Sequence, residues 1–264
     1  MNSAAFSLFA VFLAVCCSLF LLFRSLTRET LFLSLLLLLS AALCGLDSYI
    51  LTYPERLSLT LWVQKIEAFF PLAALGCSAF YCRPSGVSQL SKSSRILLPA
   101  AVLFFVFGLF QGIDSYYISP DFGEESLLFL TDIGFVFYLL LMIFLVLAMV
   151  QIERTFSALS QFERWHVKYE IVGLCVLLGI SVVYYSQSLL YRSLDMEMTG
   201  ARAFALLLTV GLIFYSRLFR RQAGKITISR TAAYRSLILF VVGAYLIGLG
   251  LVGEGMRYLD LPAQ

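Results

Sequence analysis

Six polar side chains sit where the surrounding sequence is almost wholly apolar: Asp47, Lys65, Glu67, Asp132, Gln187 and Arg202. An ionisable group at membrane depth is costly unless it is paired or wetted, so each of these needs a partner or a ligand. Lys65 and Glu67 are two residues apart and cannot face one another on a helix. Each is therefore expected to pair with a different neighbour, with Asp47, Asp132 and Arg202 as the candidates. Two readings follow. The six either line a cup that binds a small ligand or contacts a periplasmic partner, or they snorkel and pair near the interface, fixing helix tilt and register.

The other chemistry-bearing stretch is "ERWHVKYE", Glu163 to Glu170, six ionisable side chains in eight residues that include the single histidine, His166. On a helix, Arg164 and Lys168 share a face, and His166 stands about one turn from Glu163 and Glu170. Trp165 and Tyr169 are rings that favour the membrane interface. The segment reads as the entry of a helix beside anionic lipid. A phosphoacceptor or proton-relay role for His166 is disfavoured, since no acidic residue follows it directly and no nucleotide-binding segment accompanies it. Six cysteines, Cys16, Cys17, Cys44, Cys77, Cys82 and Cys175, lie in or at the ends of apolar runs. Without a CxxC spacing or a histidine partner they read as small hydrophobes, and no metal or cofactor is implied.

The elements that position these residues follow from composition. The 264 residues are 61% hydrophobic and 13% charged, with a mean hydropathy of +0.91, more apolar side chain than one soluble core can hide. Runs of about 20 apolar residues predict an all-α polytopic membrane protein with about eight transmembrane helices in one bundle. They fall near 4–23, 30–51, 59–82, 96–113, 127–150, 170–191, 201–216 and 236–254 and form a single integral membrane domain over 1–264. The first run carries no Lys or Arg before residue 24 and is too long for a signal-peptide core, so it is expected to remain.

Loop charge sets the orientation. Alternate loops collect 14 of the 19 Lys and Arg on one side, which predicts N- and C-termini both outside the bacterial inner membrane. On that topology the informative polar residues fall toward the outer half, and the inner halves read as Leu, Val, Phe and Ala. The segment 217–235 is basic without an acid, and within it Lys225, Arg230 and Arg235 are candidates for transmitting a signal. Arg217, Arg220 and Arg221 read as an ordinary positive-inside anchor on anionic lipid. In the last run, Ala244, Gly248 and Gly255 form a stripe of small residues suited to close helix packing. Pro71 and Pro99 are candidate kink sites. No nucleic-acid partner is expected.

Three stretches carry a family resemblance: "ERTFSALSQFERWHVKYEIVGL" (153–174), "YYSQSLLYRSLD" (184–195) and "ITISRTAAYRSLILFVVGAYLIGLGL" (226–251). They resemble the N-terminal membrane region of PrsK-type histidine kinases, associated with the PEP-CTERM/exosortase protein-sorting system. The resemblance implies a sensory input module of a two-component-type kinase. The GAF-like, phosphoacceptor and ATP-binding segments of that family are not in this sequence, so kinase activity is not carried over. The partners implied are a cytoplasmic kinase, a periplasmic protein or a second copy of the chain. A transporter using the polar cup for a small molecule or lipid is the alternative, and it calls for polar residues running on through the inner half. An intramembrane transpeptidase needs a Cys, His and Arg converging outside, which the inner position of His166 opposes.

Overall fold

The structure, a computed structural model, describes residues 3–53, 59–81, 92–118, 127–195 and 198–219. Within them lie seven long helices: α1 (Ser3–Arg24), α2 (Arg28–Thr52), α3 (Thr60–Phe80), α4 (Lys92–Phe110), α5 (Asp132–Ala158), α6 (Gln161–Tyr191) and α7 (Thr199–Phe219). Six of them, all but α3, are long and apolar enough to cross a membrane. The chain is thus an all-α, multi-pass membrane protein. In α3 the cluster Gln64, Lys65 and Glu67 interrupts an otherwise apolar 21-residue helix. The expected span at 236–254, its stripe of small residues and the candidates Lys225, Arg230 and Arg235 lie outside the described residues.

The helices close into a ring. α1 packs on α2, α2 on α3, α3 on α5, α5 on α6, α6 on α7 and α7 back on α1, while α4 lies outside against α3. Phe12, Phe23, Ile96, Leu103 and Phe110 are exposed on the outer surface, and the polar groups turn inward. This arrangement suits a lipid solvent, where helices associate through close packing and interhelical hydrogen bonds. The α6–α7 contact shows both. Thr209 Oγ1 donates to the Gly173 carbonyl at 2.8 Å, and a Cβ at Gly173 would stand 3.3 Å from the Thr209 backbone.

One end of the ring is covered by structure that the helical pattern does not predict. β1 (Leu127–Phe129) pairs antiparallel with β2 (Ser193–Asp195), Leu128 opposite Leu194. Arg192 ends α6 in the left-handed region at φ 49° and turns the chain into β2. The fifth span is consequently displaced from the expected 127–150. Its first residues form β1, and α5 begins at Asp132 behind an N-cap, Thr131, whose hydroxyl accepts from Gly134 N at 3.1 Å.

Gly134 fixes how that cover sits. Thr131 N donates to the Tyr116 carbonyl at 2.9 Å, and a Cβ on Gly134 would meet that same carbonyl oxygen. Because the obstacle is backbone, Gly134→Ala is expected to cost about 1–2 kcal/mol by overpacking. A lowered unfolding midpoint in detergent checks it. An unchanged midpoint would mean that the 113–118 turn is free to shift.

At the opposite end "ERWHVKYE" opens α6, as the sequence predicts for a helix entry. Ser160 caps the helix and exchanges hydrogen bonds with Glu163 in a capping box. Arg164 turns back onto the carbonyls of Ser157 and Leu159, and the Lys168 ammonium stands over the rings of Trp165 at 4.2 Å and Tyr169 at 4.9 Å.

Candidate functional site

Three of the six sequence candidates converge inside the ring. Asp47 from α2, Glu67 from α3 and Arg202 from α7 are 1%, 1% and 5% exposed. Arg202 donates through Nη1 to Asp47 Oδ2 at 3.1 Å and through Nη2 to the Tyr185 hydroxyl at 2.9 Å, with Glu67 Oε1 at 3.5 Å. Tyr185 in turn donates its hydroxyl hydrogen bond to Glu67 Oε1 at 2.9 Å, and Tyr138 donates to Glu67 Oε2 at 2.8 Å. Since Tyr138 has a single hydroxyl proton, the 2.7 Å contact between Tyr117 and Tyr138 must have Tyr117 as donor. The network is therefore directional, Tyr117 to Tyr138 to Glu67. The Arg202 guanidinium also lies 4.7 Å from the ring centre of Tyr184, a cation–π contact in a desolvated setting.

The helical repeats explain the convergence. Tyr138 is the seventh residue of α5 and Tyr185 the seventh from the end of α6, so both reach the level at which α2 presents Asp47 and α3 presents Glu67. Tyr117 belongs to the turn that follows α4. Burial, and next the charge of Glu67, push its phenol up, so it remains a protonated donor. Its neighbour Tyr116 is pushed up to about 12 by burial.

The other three candidates lie elsewhere. Lys65 is half-buried on another side of α3, with its ammonium 5.1 Å from the Trp62 ring, as a snorkelling lysine would be. Asp132, expected within span five, is the exposed first residue of α5 and pairs with Arg192 at 3.0 Å. Neither joins the Arg202 network. Gln187 borders a cleft of about 450 Å³ with Tyr184, Ser188, Tyr191 and Asp195, so Tyr184 stands between that cleft and Arg202. A smaller cavity, bounded by Ser40, Cys44, Ser181 and Arg202, has room for about one water.

The expectation of an apolar inner half is overturned. About 22 Å along α7 from Arg202, by the 1.5 Å rise per residue, Arg217 holds a second cluster. Its Nη2 lies 2.7 Å from Glu29 Oε1 of α2 and its Nε 2.8 Å from Glu170 Oε1 of α6. Tyr81, just past α3, donates to Glu170 Oε2 at 2.9 Å, and Arg24 of α1 donates to the Arg217 carbonyl at 2.9 Å. Arg217 is thus an internal ion-pair hub and not a lipid anchor, and Glu170, 5% exposed, is core rather than interface. A third polar contact joins Ser78 and Ser94, which both donate to Gln151 Oε1.

Between the two arginine clusters the helices are packed with buried Leu36, Leu37, Leu174, Leu178, Leu206 and Ile213. Buried Ser40 and Ser181 there donate to carbonyls one turn back in their own helices. Among the described residues no group of three or more His, Cys, Asp or Glu is placed to hold a metal ion. Cys16, Cys17, Cys44, Cys77 and Cys175 are free thiols. The arrangement can hold charge inside the bundle and exchange protons along hydroxyls. No protein-family model, curated protein or solved structure matches this chain.

Proposed function

We propose that the chain is a membrane-embedded input module of a two-component-type histidine kinase system in the bacterial inner membrane. It would read an envelope signal at its Arg202 end and pass it to a cytoplasmic kinase or kinase domain. One observation carries this reading above the others. α7 holds two arginines, each gripped by carboxylates from neighbouring helices at opposite ends of the ring, so a change of partners at Arg202 alters the helix that also carries Arg217. Beyond Arg217 comes the basic stretch to Arg235, with Lys225 and Arg230, which positive-inside counting places in the cytoplasm. A signal acts here only through its differential affinity for two packings of the helices. The resemblance of 153–174, 184–195 and 226–251 to PrsK-type sensor regions adds the class of partner.

A small-molecule or lipid transporter is the second reading, favoured by the cleft beside Gln187. The apolar packing between the two clusters weighs against a polar route through the described bundle. The test replaces the chromosomal copy by Arg202→Gln and, in parallel, deletes it. Aspartate phosphorylation of the cell's response regulators, and histidine phosphorylation of its kinases, are then compared with wild type, with membrane levels of the protein checked. A regulator whose phosphorylation changes in the deletion and equally in Arg202→Gln is the expected result. An unchanged phosphorelay in the deletion strain would end the sensor reading.

A further inference from the structure

Among the described residues the charges of the Arg202 network do not cancel as side chains alone. Two carboxyl groups, Asp47 and Glu67, face one guanidinium at full burial, and a surplus charge at that depth is costly. Among the described residues, the other groups brought against Glu67 are neutral hydroxyls: Tyr138 from α5, Tyr184 and Tyr185 from α6, and Tyr117 from the turn. Lys65 is turned to Trp62 and supplies no balancing charge.

A second observation lies next to the first. Thr60, Gln64 and Glu67 follow the i, i+4, i+7 stripe of α3, covering about 10 Å from its first residue. Thr60 and Gln64 are 3% and 1% exposed, yet Thr60 Oγ1 and both polar atoms of the Gln64 side chain make no hydrogen bond among the described residues. The Tyr116 hydroxyl is close enough to Gln64 to interact with it, but it too lacks a well-formed bond. Buried polar groups of this kind take water as their partner.

We propose that the network is a proton-binding site: one proton held by Glu67 and Asp47 against Arg202 neutralises the buried cluster. It enters through the hydroxyl chain from Tyr117. In the step, an excess proton from solvent, relayed by water at the Thr60–Gln64–Tyr116 stripe that ends as neutral water, passes to Tyr117, which releases its own to Tyr138, which releases its own to Glu67 Oε2. The carboxylate becomes a carboxyl group, no electrons move, and both phenols end as they began. The hydrogen bonds then run in reverse, from Glu67 to Tyr138 to Tyr117. This site would serve a sensor or a transporter alike, so its test stands apart from the phosphorelay experiment.

The test is infrared difference spectroscopy of the full chain in lipid nanodiscs during a pH titration, following the carbonyl band of protonated carboxyl groups and its shift in heavy water. A titrating band that is lost in Glu67→Gln or in Asp47→Asn is expected. Tyr138→Phe, which keeps both carboxyls, should retain the band at equilibrium but slow its appearance after a pH jump several-fold. Absence of a titrating band in the wild type, or a band untouched by both carboxyl substitutions, overturns the site. Should those variants fail to fold, the wild-type titration and the Tyr138→Phe kinetics decide it, and unchanged kinetics overturn the entry path.

Discussion

Replacing Arg202 by Leu is expected to lower the stability of the folded bundle by about 3–5 kcal/mol, the range for removing one partner of a buried ion pair. The loss is that large because the guanidinium serves three acceptors at once, Asp47 Oδ2, Glu67 Oε1 and the Tyr185 hydroxyl. Without it two buried carboxyls face each other with only tyrosine hydroxyls between them. The same reasoning fixes a rescue. Adding Asp47→Asn and Glu67→Gln to Arg202→Leu should recover most of the loss, because the penalty resides in the uncompensated charges. Arg202→Lys should fall between, since a point ammonium cannot span Asp47 and Tyr185 as a planar fork does. Unfolding midpoints of the single, double and triple variants in one detergent check this through the coupling energies. Additive effects would show that the three side chains do not act as a unit.

Part of this site is legible in the amino-acid sequence alone. Asp47, Glu67 and Arg202 are conspicuous because formal charge inside an apolar run demands a partner, and the all-α membrane fold follows from the runs themselves. Lys65 and Asp132 carry the same signal and mislead for identifiable reasons. The four-carbon stem of Lys65 lets the ammonium leave the helix face on which its Cα sits, to stack on Trp62. A span counted from 127 gives Asp132 a membrane depth, whereas the helix begins at that residue, and the displacement comes from a three-residue strand too short to show a period. Tyr185 stands out as a polar residue within the sixth span, but Tyr117 and Tyr138 escape the reading, because tyrosine is counted with the hydrophobic residues in the composition. The one signal they carry is tyrosine in a stretch otherwise using phenylalanine, as at Tyr138 between Phe137 and Phe144. Glu170 and Arg217 sit at the borders of charge-rich segments, where charge counting assigns them to loops. Only the pairing of α6 with α7 places them together.

The Glu170–Arg217 cluster supplies the other large effect. Arg217→Leu is expected to cost about 3 kcal/mol, the lower edge of the range for a broken buried pair, because the Arg217 side chain is 24% exposed and retains some solvent. The damage falls unevenly on its partners. Glu170 is 5% exposed and, without Arg217, is a buried carboxylate left with the hydroxyls of Tyr81 and Ser216. Glu29 has a quarter of its side chain in contact with solvent and can rehydrate. Glu170→Gln in the Arg217→Leu background should therefore restore more stability than Glu29→Gln in the same background. Unfolding midpoints of these pairs distinguish the two roles available to Arg217. Were it a lipid anchor, Arg217→Leu would cost well under about 1 kcal/mol, as exposed charges do, and neither second substitution would matter. If it is the hub that ties α2 and α6 to the end of α7, the rescue by Glu170→Gln follows from burial alone, and on the proposed sensor function Arg217→Leu should uncouple Arg202 from a phosphorelay without disturbing the carboxyl site about 22 Å away.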